Sequence, residues 1–262
     1  MITGAAAGWA QALAEWALPE EILAAAPESP WGFPTDVFTA VATRALAEPP
    51  TPTHRRVVEA LPPGGDVLDV GAGAGAASLP AAPPAARIVA VDTDPRMLDA
   101  LAGLAPEGVA VETVAGRWPE VADSVPVTDV VVCANVLYNV PDVTPFVAAL
   151  SAKARRRVVV ELTAAHPQSR LTPLWERFWS LPRPDRPTAA DAIDVVTEVT
   201  GSTPYVDRWA REGDRVIDVG WLRRRLCLPP DRDGEVAAAL PMLATGTAMV
   251  TLSWPGAAPP GA

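Results

Sequence analysis

Between Asp66 and Leu162 the chain alternates short β-branched apolar runs with stretches of helical periodicity. Strands are predicted near Val67–Val70, Arg87–Val91, Val109–Val114, Asp129–Ala134 and Arg157–Leu162, with helices between them near Ala76, over Pro95–Leu104 and over Val143–Ala154. Alternation at this rhythm builds βαβ units and therefore a doubly wound α/β fold, a parallel sheet with helices on both faces. The unbroken run Val130-Val131-Val132-Cys133 fits a central strand buried on both sides.

The flanking regions have a different texture. Residues 1–63 read as helical pieces separated by proline, with Trp9, Leu13 and Trp16 at spacings of three and four. A proline-rich stretch from Glu48 to Thr53, a short helix around Arg55 to Leu61 and the breaker Pro62-Pro63-Gly64-Gly65 end this part, which we expect to be an N-terminal helical cap. The remaining unit, 64–262, carries an insert at about 163–203 containing Trp175, Phe178 and Trp179. Within it Thr188 with Asp191 forms an N-terminal cap for a helix bearing Ile193, Val196 and Val199, and Gly201 is its stop. A strand near Tyr205–Trp209, an Arg-rich helix near Ile217–Cys227, a helix near Gly234–Leu243 and a last strand near Ala248–Trp254 complete the chain.

Composition narrows the classes of function. At 262 residues with 49% hydrophobic content the chain can build one large core with an added cap. The formal net charge of −10, with Lys153 as the sole lysine, repels phosphate backbones, so a nucleic-acid partner is not expected without a local basic patch. The triplets Arg155 to Arg157 and Arg223 to Arg225 are read as solvated faces or helix ends. Cys133 and Cys227 stand outside any C-x-x-C pattern, so neither a disulfide framework nor a metal site is implied. The N-terminus lacks a basic region before its apolar residues, and the uncharged run from Val236 to Ala262 is broken by Pro241, Gly246 and Pro255. Neither a signal peptide nor a membrane span is expected, which points to a cytoplasmic protein.

The strongest chemical signal is Asp69-Val70-Gly71-Ala72-Gly73-Ala74-Gly75, placed directly after a strand. Glycines let the backbone turn tightly and approach a bound nucleoside without an intervening side chain. Asp92 lies 21 residues beyond Gly71 at the end of the second strand, where a carboxylate can accept hydrogen bonds from ribose hydroxyls. A nicotinamide fingerprint would need glycine at Ala76, whereas here glycine sits one residue earlier.

Val67 to Gly75 together with Val89 to Leu98 resembles the first two motifs of the class I S-adenosylmethionine-dependent methyltransferases. Gly116-Arg117-Trp118-Pro119 and Asp129 to Tyr138 resemble the next two, so the similarity covers roughly residues 57–165. The stretch from Glu161-Leu162-Thr163 through His166-Pro167, Leu174-Trp175, Phe178-Trp179 and Arg183-Pro184 is similar to a bacterial subgroup of these enzymes. The resemblance implies a Rossmann-like, mostly parallel seven-stranded sheet whose last strand is antiparallel, a part Ala248–Trp254 can play, with S-adenosylmethionine as cofactor. By the same resemblance Asp69, Gly71, Ala72, Gly73 and Gly75 hold the methionine portion, Asp92 the ribose, and Thr93 and Met97 the adenosine surroundings. Gly116, Arg117 and Trp118, with Cys133 and Ala134 of the fourth motif, complete the cofactor-binding set. Arg117 stands where many relatives have an acidic residue for the adenine amine, and Trp118 either flanks the adenine or belongs to the core.

For the acceptor, His166 after the fifth strand is the candidate general base, since an ordinary imidazole titrates near 6.5. Tyr138 and Asn135, at the exit of the fourth strand with Asn139, are candidates for orienting a polar acceptor. His54, beside a basic pair, is expected at the surface. The N-P-P-Y or D-P-P-Y tetrad of many base-amine methyltransferases is missing, and Cys133 has no preceding proline, so a small-molecule acceptor is preferred to RNA or protein. A nucleotide-binding module without catalysis is the other alternative. Most of the nine tryptophans are expected to pack, as the i, i+4 spacing of Trp175 and Trp179 suggests, while some close an apolar acceptor pocket, so that Trp175→Leu or Trp179→Leu would weaken acceptor binding without altering donor affinity.

Overall fold

The computed structural model describes residues 4–32, 35–212 and 218–258. Its centre is a seven-stranded sheet built from β1 (Asp66–Val70), β2 (Arg87–Asp92), β3 (Ala110–Ala115), β4 (Thr128–Ala134), β5 (Ala154–Thr163), β6 (Tyr205–Arg211) and β7 (Thr247–Pro255). The order across the sheet is β3-β2-β1-β4-β5-β7-β6. The first five strands pair in parallel, and β7 inserts antiparallel between β5 and β6. The terminal strand thus takes the antiparallel place expected of it.

Ten helices are described: α1 (Ala5–Ala14), α2 (Glu20–Ala25), α3 (Thr35–Ala47), α4 (Pro52–Ala60), α5 (Pro95–Leu104), α6 (Val143–Ala152), α7 (Thr172–Trp179), α8 (Ala189–Thr200), α9 (Val219–Arg225) and α10 (Asp233–Ala239). Thr188 and Asp191 form a capping box on α8, and Gly201 ends it in the left-handed conformation, as the spacing predicts. The Arg-rich helix is shorter than expected, and Ile217 lies outside the described residues.

One expected element is absent among the described residues. No α-helix follows β1 near Ala76; the crossover to β2 is a series of turns with a single 3-10 turn at Leu79–Ala81. Pro80, Pro83 and Pro84 explain this, because each lacks the N–H that a helix interior needs. Helix α3 from the N-terminal segment packs instead against α5 and the Leu79–Ala81 turn, filling the layer where a first-crossover helix would lie.

Strand alternation divides the core in two. On one face Leu68, Val70, Val131, Cys133, Val158 and Val160 meet Trp9 of α1, Phe146 and Leu150 of α6 and Val195 of α8. On the other, Val67, Ile88, Val130, Val132 and Val159 meet Val57 of α4 and Leu98 and Leu101 of α5. A third cluster joins Leu18 and Ile22 to Leu174 and Trp175 of α7, Leu222 of α9 and Val236 of α10. The first 63 residues therefore supply side chains to both faces of the sheet and to the third cluster.

The two arginine triplets are spent on separate internal tasks. Arg155 reaches Asp66 at 3.4 Å, Arg156 reaches Asp129 at 3.5 Å and Arg157 reaches Glu59 at 3.4 Å, all near the starts of the parallel strands. Arg223 pairs with Glu28 at 3.1 Å and Arg225 donates to the Pro30 carbonyl at 2.9 Å, tying α9 to the N-terminal segment. Among the described residues no helix is long and apolar enough to cross a membrane.

Candidate active site

The glycine-rich corner is fastened to the tip of the neighbouring strand. The N–H groups of Gly71 and Ala72 both donate to the Val91 carbonyl, at 2.8 and 3.0 Å. Gly73 N–H donates to Asp92 Oδ2 at 2.8 Å, and Asp94 N–H donates to Asp92 Oδ1 at 2.9 Å. Gly71 has φ +69°, and a Cβ there would stand 2.4 Å from a Val136 methyl, so glycine is required both by conformation and by the close approach of the β4 exit. Above the corner, Phe38 of α3 would lie 3.6 Å from a Cβ on Gly73.

Asp69 lies beneath this corner with no solvent exposure, and neither of its carboxylate oxygens has a hydrogen-bond partner in good geometry. Burial raises its pKa to about 7, and the Asp92 charge adds to the rise. Ser78 pulls the other way, although its own buried hydroxyl also lacks a partner in good geometry. A buried carboxylate left in this state is costly unless a cationic or hydrogen-bonding group meets it.

The other expected donor residues scatter in exposure. Thr93 is exposed, Met97 is buried on α5, Gly116 follows β3 and Arg117 points to solvent. A Cβ on Gly116 would meet Val121 at 2.2 Å, so this glycine serves a close turn. Trp118 is a core residue, its indole N–H donating to the Phe146 carbonyl at 3.3 Å. Cys133 is wholly buried in β4 with its thiol pKa driven well up by burial, while Ala134 is half-buried at the strand end.

Of the acceptor candidates, Tyr138 and His166 meet beyond the ends of β4 and β5, whereas Asn135 turns to Glu161. Asn135, exposed and left-handed at φ 59°, donates its side-chain N–H to Glu161 Oε1 at 3.0 Å. Tyr138 donates to the Thr163 carbonyl at 2.8 Å and stacks on Trp9 of α1, with ring centroids 5.4 Å apart. Burial, then the charge of Asp191, pushes its phenol pKa up. His166 lies edge-on to Tyr138 at 5.2 Å and is stacked on Trp16 at 3.9 Å. Its Nδ1 accepts from the Gln168 N–H at 3.3 Å. Burial, then the charges of Arg183 and Arg225, lower its pKa to about 4, so the imidazole is a far weaker base than its ordinary value of 6.5 suggests.

Two residues of this region are not singled out by the sequence. His54 is buried, contrary to the surface position expected for it. It sits at the third position of α4, accepts the Thr51 N–H at Nδ1 and meets the Ala76 carbonyl through Nε2 at 3.0 Å, which anchors the glycine loop. The signal is the Thr51-Pro52-Thr53-His54 start of a capped helix. Glu161 is buried at the end of β5, where it accepts from Asn135, from Arg211 and, at 2.7 Å, from the Thr53 hydroxyl. A lone acid closing the apolar run Val158-Val159-Val160 is the mark it leaves in the sequence.

Two shallow surface depressions lie elsewhere. One is lined by Ala6, Ala10 and Thr144, the other by Arg211, Glu212 and Thr247. Fastening of the corner to β2 and the orphaned Asp69 are more direct signs of a ligand site than either hollow.

Comparison with known proteins agrees with this geometry. Residues 67–157 match the methyltransferase domain family. The chain is similar in structure to a cyclopropane-fatty-acyl-phospholipid synthase-like protein from Lactobacillus casei, at 14% identity over 84% of this chain and 98% of that one, TM-score 0.51. It is similar also to the YcgJ protein from Bacillus subtilis, at 16% identity over 78% and 97%, TM-score 0.50. The comparison with curated proteins gives no match. At such identities the structural likeness speaks for the fold, and the matched stretch contains both the glycine corner and Asp92. Residues 67–157 therefore carry a methyltransferase domain.

Proposed function

We propose that this chain transfers a methyl group from S-adenosylmethionine to a small-molecule acceptor, with the donor at the glycine corner and the acceptor beyond the ends of β4 and β5. The observation that carries the reading is Asp69, a fully buried carboxylate beneath the glycine corner whose only hydrogen-bonding neighbour, the Ser78 hydroxyl, is not in good geometry. These residues fit the donor: Gly73 presents main chain without a side chain at the corner, while Gly71 and Gly75 let Val136, Leu79 and Leu101 pack close around it, and Asp69 offers the unmet charge that an ammonium group would answer. Each Asp92 oxygen accepts only one backbone N–H and retains capacity for a ribose hydroxyl. Bound there, S-adenosylmethionine supplies an electrophilic methyl group on a sulfonium.

The work left to this chain's side chains is alignment and exclusion of water. Asn135, Tyr138 and His166 are the groups we assign to the acceptor. With Nδ1 occupied, the neutral His166 ring keeps Nε2–H as a donor, which suits orienting an acceptor more than deprotonating a weak acid. The first 63 residues act as the cap, with α3 over the glycine corner and α2 packed against α7 of the 163–203 insert. An RNA acceptor is disfavoured because the arginine triplets are bound to different internal partners.

Calorimetry with S-adenosylhomocysteine and with NADH tests the donor assignment. Incubation with methyl-labelled S-adenosylmethionine and separate pools of metabolites, RNA and protein tests the acceptor class. Label in a small molecule is expected. Tight NADH binding without a response to S-adenosylhomocysteine would overturn the donor site, and label in RNA or protein would overturn the acceptor class.

A further inference from the structure

The side chains beyond the donor corner follow one another outward in a definite order. Val136 touches the position of Gly71, Tyr138 follows two residues on, His166 lies 5.2 Å from Tyr138, and Trp16 stacks on His166 at 3.9 Å. Arg183 comes next, its guanidinium 5.1 Å from the Trp16 ring centroid and 5.7 Å from that of Trp175. Arg225, on α9, bears electrostatically on the same histidine and lies over Trp31 at 5.1 Å. An aromatic wall therefore leads from the donor corner to two cations.

Arg183 differs from the partly buried arginines that pair with carboxylates. Arg56 pairs with Asp207 at 2.7 Å, Arg87 with Glu112 at 2.8 Å, and Arg211 with the buried Glu161. Arg183 has no carboxylate within 4.0 Å among the described residues; its Nη atoms donate to the carbonyls of Trp16 and Ala17, and its Nε is buried without a partner. Carbonyl dipoles supply only part of a countercharge, so the guanidinium remains under-compensated in a partly desolvated place. Among the described residues no acidic side chain closes on this cation. Capping the chain after α1 would account for the two carbonyl bonds. It leaves the enclosed Nε N–H and the cation's charge unanswered.

From this arrangement we infer that the acceptor carries an anionic group, a carboxylate or a phosphate, which Arg183 binds at the far end of the aromatic wall with Arg225 beside it. The inference rests on the small-molecule reading above and names its substrate class. Of the five guanidinium N–H groups two serve carbonyls and one is enclosed, which leaves Nη N–H groups for an oxyanion.

Calorimetric titration of the full chain with benzoate, phenyl phosphate and the neutral benzamide, with and without saturating S-adenosylhomocysteine, tests this. At least one anion should bind about tenfold or more tighter than benzamide, the value of a charge-assisted hydrogen bond, and the preference should weaken with salt. Which anion wins identifies carboxylate or phosphate. Arg183→Gln should remove the preference while S-adenosylhomocysteine affinity stays as in the wild type, and Arg225→Gln should reduce it. Equal binding of benzamide and both anions, no binding of either anion, or an anion preference that survives Arg183→Gln would each overturn the inference. The arm without S-adenosylhomocysteine keeps anion recognition separate from the donor assignment, which fails only if S-adenosylhomocysteine itself does not bind.

Discussion

Replacing Asp69 with asparagine sets stability against ligand binding in a way whose sign depends on pH. The unfolded carboxyl releases its proton near 3.8, whereas the folded one holds it until about 7, so stability falls as pH rises through that interval and stays lower above it. A rise of that size corresponds to a ceiling of about 4 kcal/mol. His166 acts oppositely. Its folded pKa of about 4 lies below the ordinary 6.5, so the unfolded state binds the extra proton and stability grows with pH across that range, by up to about 3 kcal/mol. In the wild type the two slopes largely offset each other between pH 4 and 6.5. Asp69→Asn keeps the shape and removes the buried charge, so its advantage over the wild type should be near zero at pH 4 and grow to a few kcal/mol by pH 8. Urea unfolding of both proteins at pH 4, 5, 6, 7 and 8 measures this difference. S-adenosylhomocysteine affinity at pH 8 should fall by about 1.5–3 kcal/mol through loss of a charged hydrogen bond. A variant no more stable than the wild type at pH 8, or a stability difference that does not change with pH, would refute the reasoning.

Three further substitutions address the corner and its surroundings. Gly71→Ala places a methyl 2.4 Å from Val136 at a positive φ, and should lower stability by about 2–4 kcal/mol, read from urea midpoints, with donor affinity falling in step. Asp92→Ala removes the acceptor of the Gly73 and Asp94 N–H groups, and should weaken S-adenosylhomocysteine binding by about 1–3 kcal/mol in calorimetry. Unchanged affinity would remove Asp92 from the site. Trp175→Leu empties part of the third cluster and should lower stability by about 2–4 kcal/mol, whereas the half-buried Trp179 loses one bond to the Leu226 carbonyl and should cost less as Trp179→Leu. Paired thermal melts separate the two.

The parallel sheet is legible because each of its strands keeps a short β-branched run between turn residues, and Pro95–Leu104 can be placed to the residue because Asp94 caps it before a proline at the first position. The helix expected near Ala76 does not form: an alanine-rich stretch invites a helix, and the three prolines that prevent it act through missing N–H groups, which composition underweights. The donor corner is readable from one contiguous motif plus Asp92. The acceptor side is not, because Trp16, Tyr138, His166, Arg183 and Arg225 are brought together only by the fold. Burial also cannot be seen in sequence, and it is burial that turns His166 from a base of ordinary strength into a weak one and draws His54 inward.

The shortened link between β1 and β2 affects how this chain can be divided. Since that link forms no helix, the roof over the nucleotide corner is borrowed from α3, upstream of the first strand. A boundary drawn at Gly64 would strip Phe38 from Gly73 and leave Leu79 and Leu101 facing water. Helix α3 and the glycine corner pack as one unit, so loosening the helix is expected to weaken binding at the proposed donor site.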